Sequence, residues 1–364
     1  MIPTVLRMRS FFYSLLQSEG TRRSIGPGSL LVVLITLFVI LLIANLGIGA
    51  VPISPIDVVA ILLFHIGLDL GLDFTSQHDA VLWNIRLPRV LLGIMIGAAL
   101  AIAGAALQGV FRNPLADPGV IGVSSGAALG AVIAIVTGFS VLGSFGLPIA
   151  SFVGGLIATI IVYVTARTYG KTDVVTLVLA GVAVNATAGA VTGFFTFVAD
   201  DDQLRSIVFW TLGSLGGATW EVVRTVTPLA LIGIIILPLF GRSLNLMTLG
   251  DNEAAHVGVS TERVRLVVIA LSALITGASV AFTGIVGFIG LVVPHIIRLS
   301  VGPDHRLLLP ASSIGGAVAL LASDLLARNV AIPTEVPLGV VTAIVGGPFF
   351  LWLVYVTRRS SGGW

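Results

Sequence analysis

Long unbroken apolar runs, rather than short alternations, set the pattern of this chain. From Ser29 to Leu46 no charged residue interrupts the apolar side chains, and comparable runs recur almost to the C-terminal end. A helix needs ~20 apolar residues to cross a bilayer. On that rule the runs predict spans at 29–48, 88–111, 119–138, 147–166, 174–198, 222–240, 263–283, 286–300, 307–327 and 337–357. Segment 52–66 (PISPIDVVAILLFHI) is apolar but too short to cross, and predicts a helix lying on the outer surface. The most informative interruption falls inside RLPRVLLGIMIGAALAIAGAALQGVFRNPLADPGVIGVSSGAALG, from Arg86 to Gly130. Two prolines and a glycine between Asn113 and Gly119 stop the helix, because proline lacks the N–H and clashes with the preceding turn. The pattern then restarts with glycines at 122, 126 and 130. A break beside a span places irregular backbone next to a cavity in transporters; an ordinary loop between packed helices is the alternative.

Composition confirms the solvent. Hydrophobic residues make up 56% and charged residues 10%, with mean hydropathy +1.09, where a water-soluble domain carries roughly a quarter charged residues. The 43 glycines suit helices packed backbone to backbone. There is no cysteine, which excludes disulfides and thiolate metal sites. The net charge of +2 is scattered over loops and does not indicate a nucleic-acid partner.

Charge placement orients the spans. With a cytoplasmic N-terminus, the inner loops and tails hold Arg7, Arg9, Arg22, Arg23, Arg112, Arg167, Lys171, Arg242, Arg263, Arg265, Arg298, Arg306, Arg358 and Arg359. Only Arg86, Arg89, Arg205, Arg224 and Arg328 fall outside. Fourteen against five obeys the positive-inside rule and favours both termini inside. The outer segments are acidic instead, with Asp57, Asp69, Asp73 and Asp79 in 49–85 and Asp200, Asp201 and Asp202 in the other. No cleavage pattern follows the first run, so residues 1–28 read as a basic cytoplasmic tail before an uncleaved span. A faint repeat adds to this. Leu179-Ala180-Gly181-Val182 precedes Gly189, and Pro337-Leu338-Gly339-Val340 precedes Gly347, with the same glycine spacing. The expected fold is all-α and polytopic, with about ten transmembrane helices in two inverted-topology halves.

Candidate chemistry is sparse. Gly170-Lys171-Thr172 mimics the end of a phosphate loop, but Thr165 stands where that loop requires glycine. Histidines 65, 78, 256, 295 and 305 are dispersed, and no metal, cofactor or catalytic constellation is expected. Segment 244–260 (LNLMTLGDNEAAHVGVS) stands out. Asp251 and Glu253 fit the start of a short helix and Gly258 its end. Leu246, Met247, Leu249, Ala254, Ala255 and Val257 are apolar in a loop that ought to face water. Docking of a soluble partner and packing on the protein's own helix ends are the two readings. Outside, Arg86 and Arg89 flank Leu87-Pro88, and Asp324 inside the ninth span has Arg328 as its i,i+4 partner. The three arginines read as interfacial anchors or as contacts to an acidic partner.

Taken together, IRLPR, RNPLADPGVIGVSSGA, LGDNEAAHVG, GFIGLVVPHIIRL, GPDHRLLLP and EVPLGVVTAIVGGPFF closely resemble the membrane permease of bacterial importers for vitamin B12, ferric siderophores and haem. The resemblance runs in order from about residue 29 to 357. It implies a multi-pass protein of the bacterial inner membrane, working with a second copy of itself, two cytoplasmic ATP-binding subunits and a periplasmic substrate-binding protein. It divides the chain into a tail (1–28), a ten-helix permease domain (29–357) with a periplasmic segment (49–85) and a cytoplasmic coupling loop (241–262), and a second tail (358–364). It further implies docking of the binding protein at Arg86, Arg89 and Arg328, and a cytoplasmic gate at Asn113 and Leu115. ATPase coupling would fall to Leu249, Gly250, Asp251, Glu253, Ala254, Ala255 and Gly258. Gly181, Asn185, Gly189, Gly339 and Thr342 would line the path. Residues 200–220 (DDDQLRSIVFWTLGSLGGATW) look most like the haem-importing branch; a siderophore or B12 carrier of the same class is the alternative. An ion-coupled transporter fits less well, because Asp324 is the one carboxylate within a predicted span, near its end and with an arginine partner.

Overall fold

The computed structural model describes residues 26–68, 71–139 and 142–360. The expectations for Arg7, Arg9, Arg22, Arg23 and Asp69 lie outside them, as do residues 361–364. Helix α1 (Pro27–Gly47) begins at a proline and leaves most of its side chains bare, as a lipid-facing helix does. Helix α2 (Pro55–His65) occupies the predicted surface segment, with Ser54 accepting the Asp57 N–H at its start. Helix α3 (Ser76–Val81) runs through a π turn at Leu82–Arg86 directly into α4 (Leu87–Phe111). The wide turn precedes Pro88, whose missing N–H interrupts the normal ladder there.

Helix α4 is buried almost throughout and forms the centre of the molecule. Around it pack α9 (Trp220–Ile236), α12 (Thr261–Thr283), α13 (Ile289–Val301) and α14 (His305–Asn329). Glycine makes two of these approaches possible. A Cβ on Gly97 would lie 2.3 Å from the Gly316 carbonyl oxygen, and one on Gly104 would lie 1.8 Å from that of Gly290. Small residues thus let backbones touch where lipid offers no hydrophobic drive.

After the break, a 3-10 turn at Pro118–Ile121 leads into α5 (Val123–Thr137), which packs on α6 (Gly146–Thr165) and α7 (Val174–Val198). Between α6 and α7 lies a small hairpin, β1 (Arg167–Thr168) with β2 (Lys171–Thr172). Its turn residues Tyr169 and Gly170 both have positive φ, the geometry of a two-residue hairpin turn. Gly170-Lys171-Thr172 is therefore hairpin and not phosphate loop. Helix α8 (Asp201–Leu212) starts with a reciprocal capping box between Asp200 and Gln203. Short helices α10 (Gly241–Met247) and α11 (Asp251–His256) precede α12, and α15 (Leu338–Ser360) ends the described chain.

Every predicted span has its helix, yet the lengths differ. Among the described residues, seven helices are long and apolar enough to cross a membrane. The apolar part of α15 (Leu338–Leu353) falls short of that length, and α5 and α13, with 15 and 13 residues, reach only roughly 22 and 20 Å against a ~30 Å core. Both α5 and α13 follow a broken backbone, at 112–122 and at 284–288. The repeat is visible in packing as well as sequence. Gly181 meets the Val120 carbonyl oxygen and Gly339 that of Leu212, whereas Gly189 and Gly347 both face open space.

Candidate functional site

Where α1 ends and α4 begins, Arg86, Arg89 and Arg328 turn inward. The Arg86 guanidinium donates to the carbonyls of Leu46 (2.6 Å), Gly47 (2.9 Å) and Val51, and so fastens the end of α1 to the start of α4. Arg89 donates to Asp324 at 2.9 and 3.0 Å, and through both terminal nitrogens to Glu335 at 2.8 Å each. Arg328 Nε lies 3.1 Å from Asp324, as the i,i+4 spacing predicts, and its Nη2 donates to Asn45 Oδ1 at 2.7 Å. Asn45 is fully buried and in turn donates to the carbonyls of Leu41 and Leu321. Of this group only Glu335 keeps a substantial exposure, 45% of its side chain. Asn45 and Glu335 escaped the sequence reading. The signal for Asn45 was its place as the one amide in the first apolar run.

A cleft of about 540 Å³ opens between the 3-10 turn, α5 and α7. Asn185 and Gly189 line it, together with Asp117, Ser124, Ser125 and Thr192, and Val178, Val182 and Ile285 supply apolar wall. Ser125 hydrogen-bonds to Asn185, whose amide donates to the Gly119 carbonyl at 3.1 Å. Asp117 accepts the Gly119 N–H at 2.8 Å. The other three residues assigned to the path are placed elsewhere. Gly181 is closed by Val120, Gly339 is pressed on Leu212 and Ile285, and Thr342 is buried with its hydroxyl on the Gly339 carbonyl at 3.1 Å.

At its other end, α4 closes at Arg112, which takes a left-handed conformation with φ 49. Asn113 Oδ1 accepts the Leu115 N–H at 2.9 Å, an Asx turn that shapes the break. Leu115 is 43% exposed and lies against Leu291, His295 and Phe349. Helix α11 forms where Asp251, Glu253 and Gly258 predict it, Gly258 standing at φ 87 after its end. Gly250 holds φ 142, and a Cβ there would strike the Glu253 carboxylate. The apolar residues of this loop divide. Leu249 and Val257 are 72% and 63% exposed, and Ala255 is exposed beside them. Met247 and Ala254 are buried against the chain itself, which corrects their place on an outward face: Ala254 packs under α11.

Asp251 ties this loop to its surroundings. One carboxylate oxygen accepts from Arg112 and the other from Arg265 at 2.9 Å. Arg265 is 1% exposed and also donates to Glu262 at 2.5 Å and to the Thr172 carbonyl of the hairpin at 3.2 Å. Glu262 accepts the Thr172 N–H at 3.0 Å.

Residues 37–356 match the family described as the FecCD transport family. The chain is 46% identical over 295 residues to the hemin transport system permease protein HmuU of Yersinia pestis, covering 79% of this chain and 88% of that protein. It is 44% identical to the cobalamin import system permease protein BtuC of Halobacterium salinarum, over 79% of this chain and 76% of that one. Among solved structures, a metal-chelate type ABC transporter in an inward-facing conformation superposes with a TM-score of 0.78. The two are 33% identical, over 88% of this chain and 97% of the other.

Proposed function

This chain belongs to the FecCD transport family of ABC importer permeases, and from that premise we propose that it carries haem across the bacterial inner membrane. It works with a second copy of itself, two cytoplasmic ATP-binding subunits and a periplasmic binding protein, with ten crossings and both termini cytoplasmic. ATP hydrolysis falls to the partner subunits. The observation that carries the haem reading is residues 200–220, which resemble the haem-importing branch. Residues 201–212 of this stretch fold as α8, with Leu204, Val208 and Phe209 exposed at the end of α7. Such an apolar face suits a flat, amphipathic cargo better than a highly polar one. The similarity to a cobalamin permease at nearly the same identity keeps B12 as the second reading, followed by a ferric siderophore.

Asn185 and Gly189 line the route through the cleft, Gly181 sets the packing of α7 on the 3-10 turn, and Gly339 and Thr342 set that of α15. Asn113 and Leu115 form the cytoplasmic gate. The ATPase docks on Leu249, Ala255 and Val257, with Gly250, Asp251, Glu253 and Gly258 shaping that surface. The binding protein docks on the outer face, where an acidic lobe reaches Arg89 and Arg328 by displacing Glu335; Arg86 supports the face from below.

Proteoliposomes holding the full complex with ATP inside test the proposal. Uptake of haem at least tenfold above that of cobalamin and of a ferric siderophore is the expected result. Preferential uptake of either competitor overturns the haem reading, and uptake driven by an ion gradient without ATP overturns the importer reading.

A further inference from the structure

Asp251 accepts from two arginines whose surroundings differ sharply. The Arg265 side chain is 1% exposed and is locked to Glu262 and Thr172 as well, so Asp251 is fastened to the start of α12 and to the hairpin. The Arg112 side chain is 38% exposed, Asp251 itself is 43% exposed, and among the described residues Asp251 is the only ion-pair partner Arg112 has. Exposed pairs are weak and screened by salt, whereas a buried pair, once formed, is held by the cost of leaving either charge alone. The first arm is therefore permanent and the second breakable.

The breakable arm begins at a telling residue. Arg112 closes α4 in the left-handed region, where glycine is comfortable and a side chain is strained. Its side chain is kept at that cost, and its contact is with α11. One residue later Asn113 starts the Asx turn that places Leu115. A displacement of α11 thus reaches the 113–115 turn directly through one carboxylate and one guanidinium, beside the packing of Leu244 of α10 on α4 at Gly109.

We propose that Asp251 is a positioning residue that transmits movement of the α10–α11 loop to the Asn113–Leu115 turn, through a releasable pair with Arg112 and a fixed pair with Arg265. The inference rests on the reading above that this loop docks the ATPase and that Leu115 gates the path. The pair is formed in the present conformation and releases as α11 shifts.

The decisive variant is Arg112→Gly, which removes the pair while suiting the left-handed backbone, so folding is preserved. In the complete transporter in proteoliposomes, ATP hydrolysis and ATPase retention stay within twofold of the unmodified protein. ATP consumed per substrate imported rises at least fivefold. A cysteine at Leu115→Cys, unique in a chain with no other, loses the nucleotide dependence of its labelling by a membrane-impermeant thiol reagent. Arg112→Lys restores most of the coupling. Raising salt worsens the ratio more in the unmodified protein than in Arg112→Gly, both of which share the salt dependence of binding-protein docking, and a purely structural role would not produce that difference. Normal coupling and nucleotide-dependent labelling in Arg112→Gly overturn the proposal while the gate reading stands. Labelling of Leu115→Cys that ignores nucleotide in an otherwise unmodified, transporting complex overturns the gate reading and the proposal with it.

Discussion

The two faces of this protein each carry an ionic cluster of arginines around a shared carboxylate, and the clusters are built for opposite ends. At one, Asp324 is 2% exposed and sits between Arg89 and Arg328, themselves 8% and 9% exposed. At the other, Asp251 is 43% exposed and joins one buried arginine to one exposed arginine. The same chemistry makes a rivet in one place and a latch in the other. Desolvation is what separates them, since a buried charge cannot be abandoned by its partner without a penalty that solvent would otherwise remove.

Removing the shared carboxylate should expose that difference most strongly. Asp324→Ala leaves the buried Arg328 without a carboxylate, while Arg89 keeps Glu335, and should cost about 3–5 kcal/mol, read as a large drop in the unfolding midpoint in detergent. Asp251→Ala should cost less than half as much, because Glu262 still holds Arg265. Equal losses would abolish the distinction between rivet and latch.

The inner loop makes its own contrast. Ala254→Asp buries an unpaired carboxylate under α11 and should cost several kcal/mol of stability, seen as poor recovery of folded protein. Leu249→Asp changes a side chain 72% exposed. It should fold normally yet lose the ATPase during purification, as measured by co-purification. Normal folding of both variants would move Ala254 back to the outer face of the loop.

Glu335→Gln sharpens the comparison at the outer cluster. This residue is the exposed member of its group, so stability should fall by only about 0.2–1 kcal/mol. Freed of its internal competitor, Arg89 should bind the acidic lobe of the binding protein more tightly, by at most about fivefold at low salt. Weaker docking would show instead that Glu335 belongs to the contact.

The smallest effect concerns pH and the outer segment. The Ser54 hydroxyl, and next the His78 ring at 2.7 Å, hold the Asp57 carboxyl below its ordinary value. A depressed carboxyl stabilises the fold above its unfolded value and loses that contribution as pH falls through its folded value. Acidification below about pH 4 should therefore loosen α2, detected by faster amide exchange over residues 55–65, and Asp57→Asn should flatten that dependence.

Much of this architecture was legible in the chain. Unbroken apolar runs located the helices, because lipid forces every backbone group to be satisfied within its own segment. Asn113 to Gly119 announced the break, Asp251, Glu253 and Gly258 framed α11, and Asp324 with Arg328 obeyed helical spacing. The resemblance carried by the motifs led to the family that the match over residues 37–356 bears out. The direction of the outer arginines was not legible. Nothing local to Arg86 or Arg89 announces carbonyls 35 to 40 residues away or carboxylates more than 230 residues away.

By itself the sequence determined what is written in short range: helix positions, caps, breaks and the sign of each loop. Only the tertiary structure decided which side chains are shared. It turned Arg89 inward, put Ala254 beneath α11 and Leu249 on top, and brought Asp117 beside Asn185 in one cleft. It also left α5 and α13 short behind broken backbone. The physical reason is that hydropathy and backbone geometry act between neighbours, whereas burial and ion pairing depend on which distant segment arrives alongside. In this chain the small residues of α4 settle that, by letting α13 and α14 come close enough to touch its backbone.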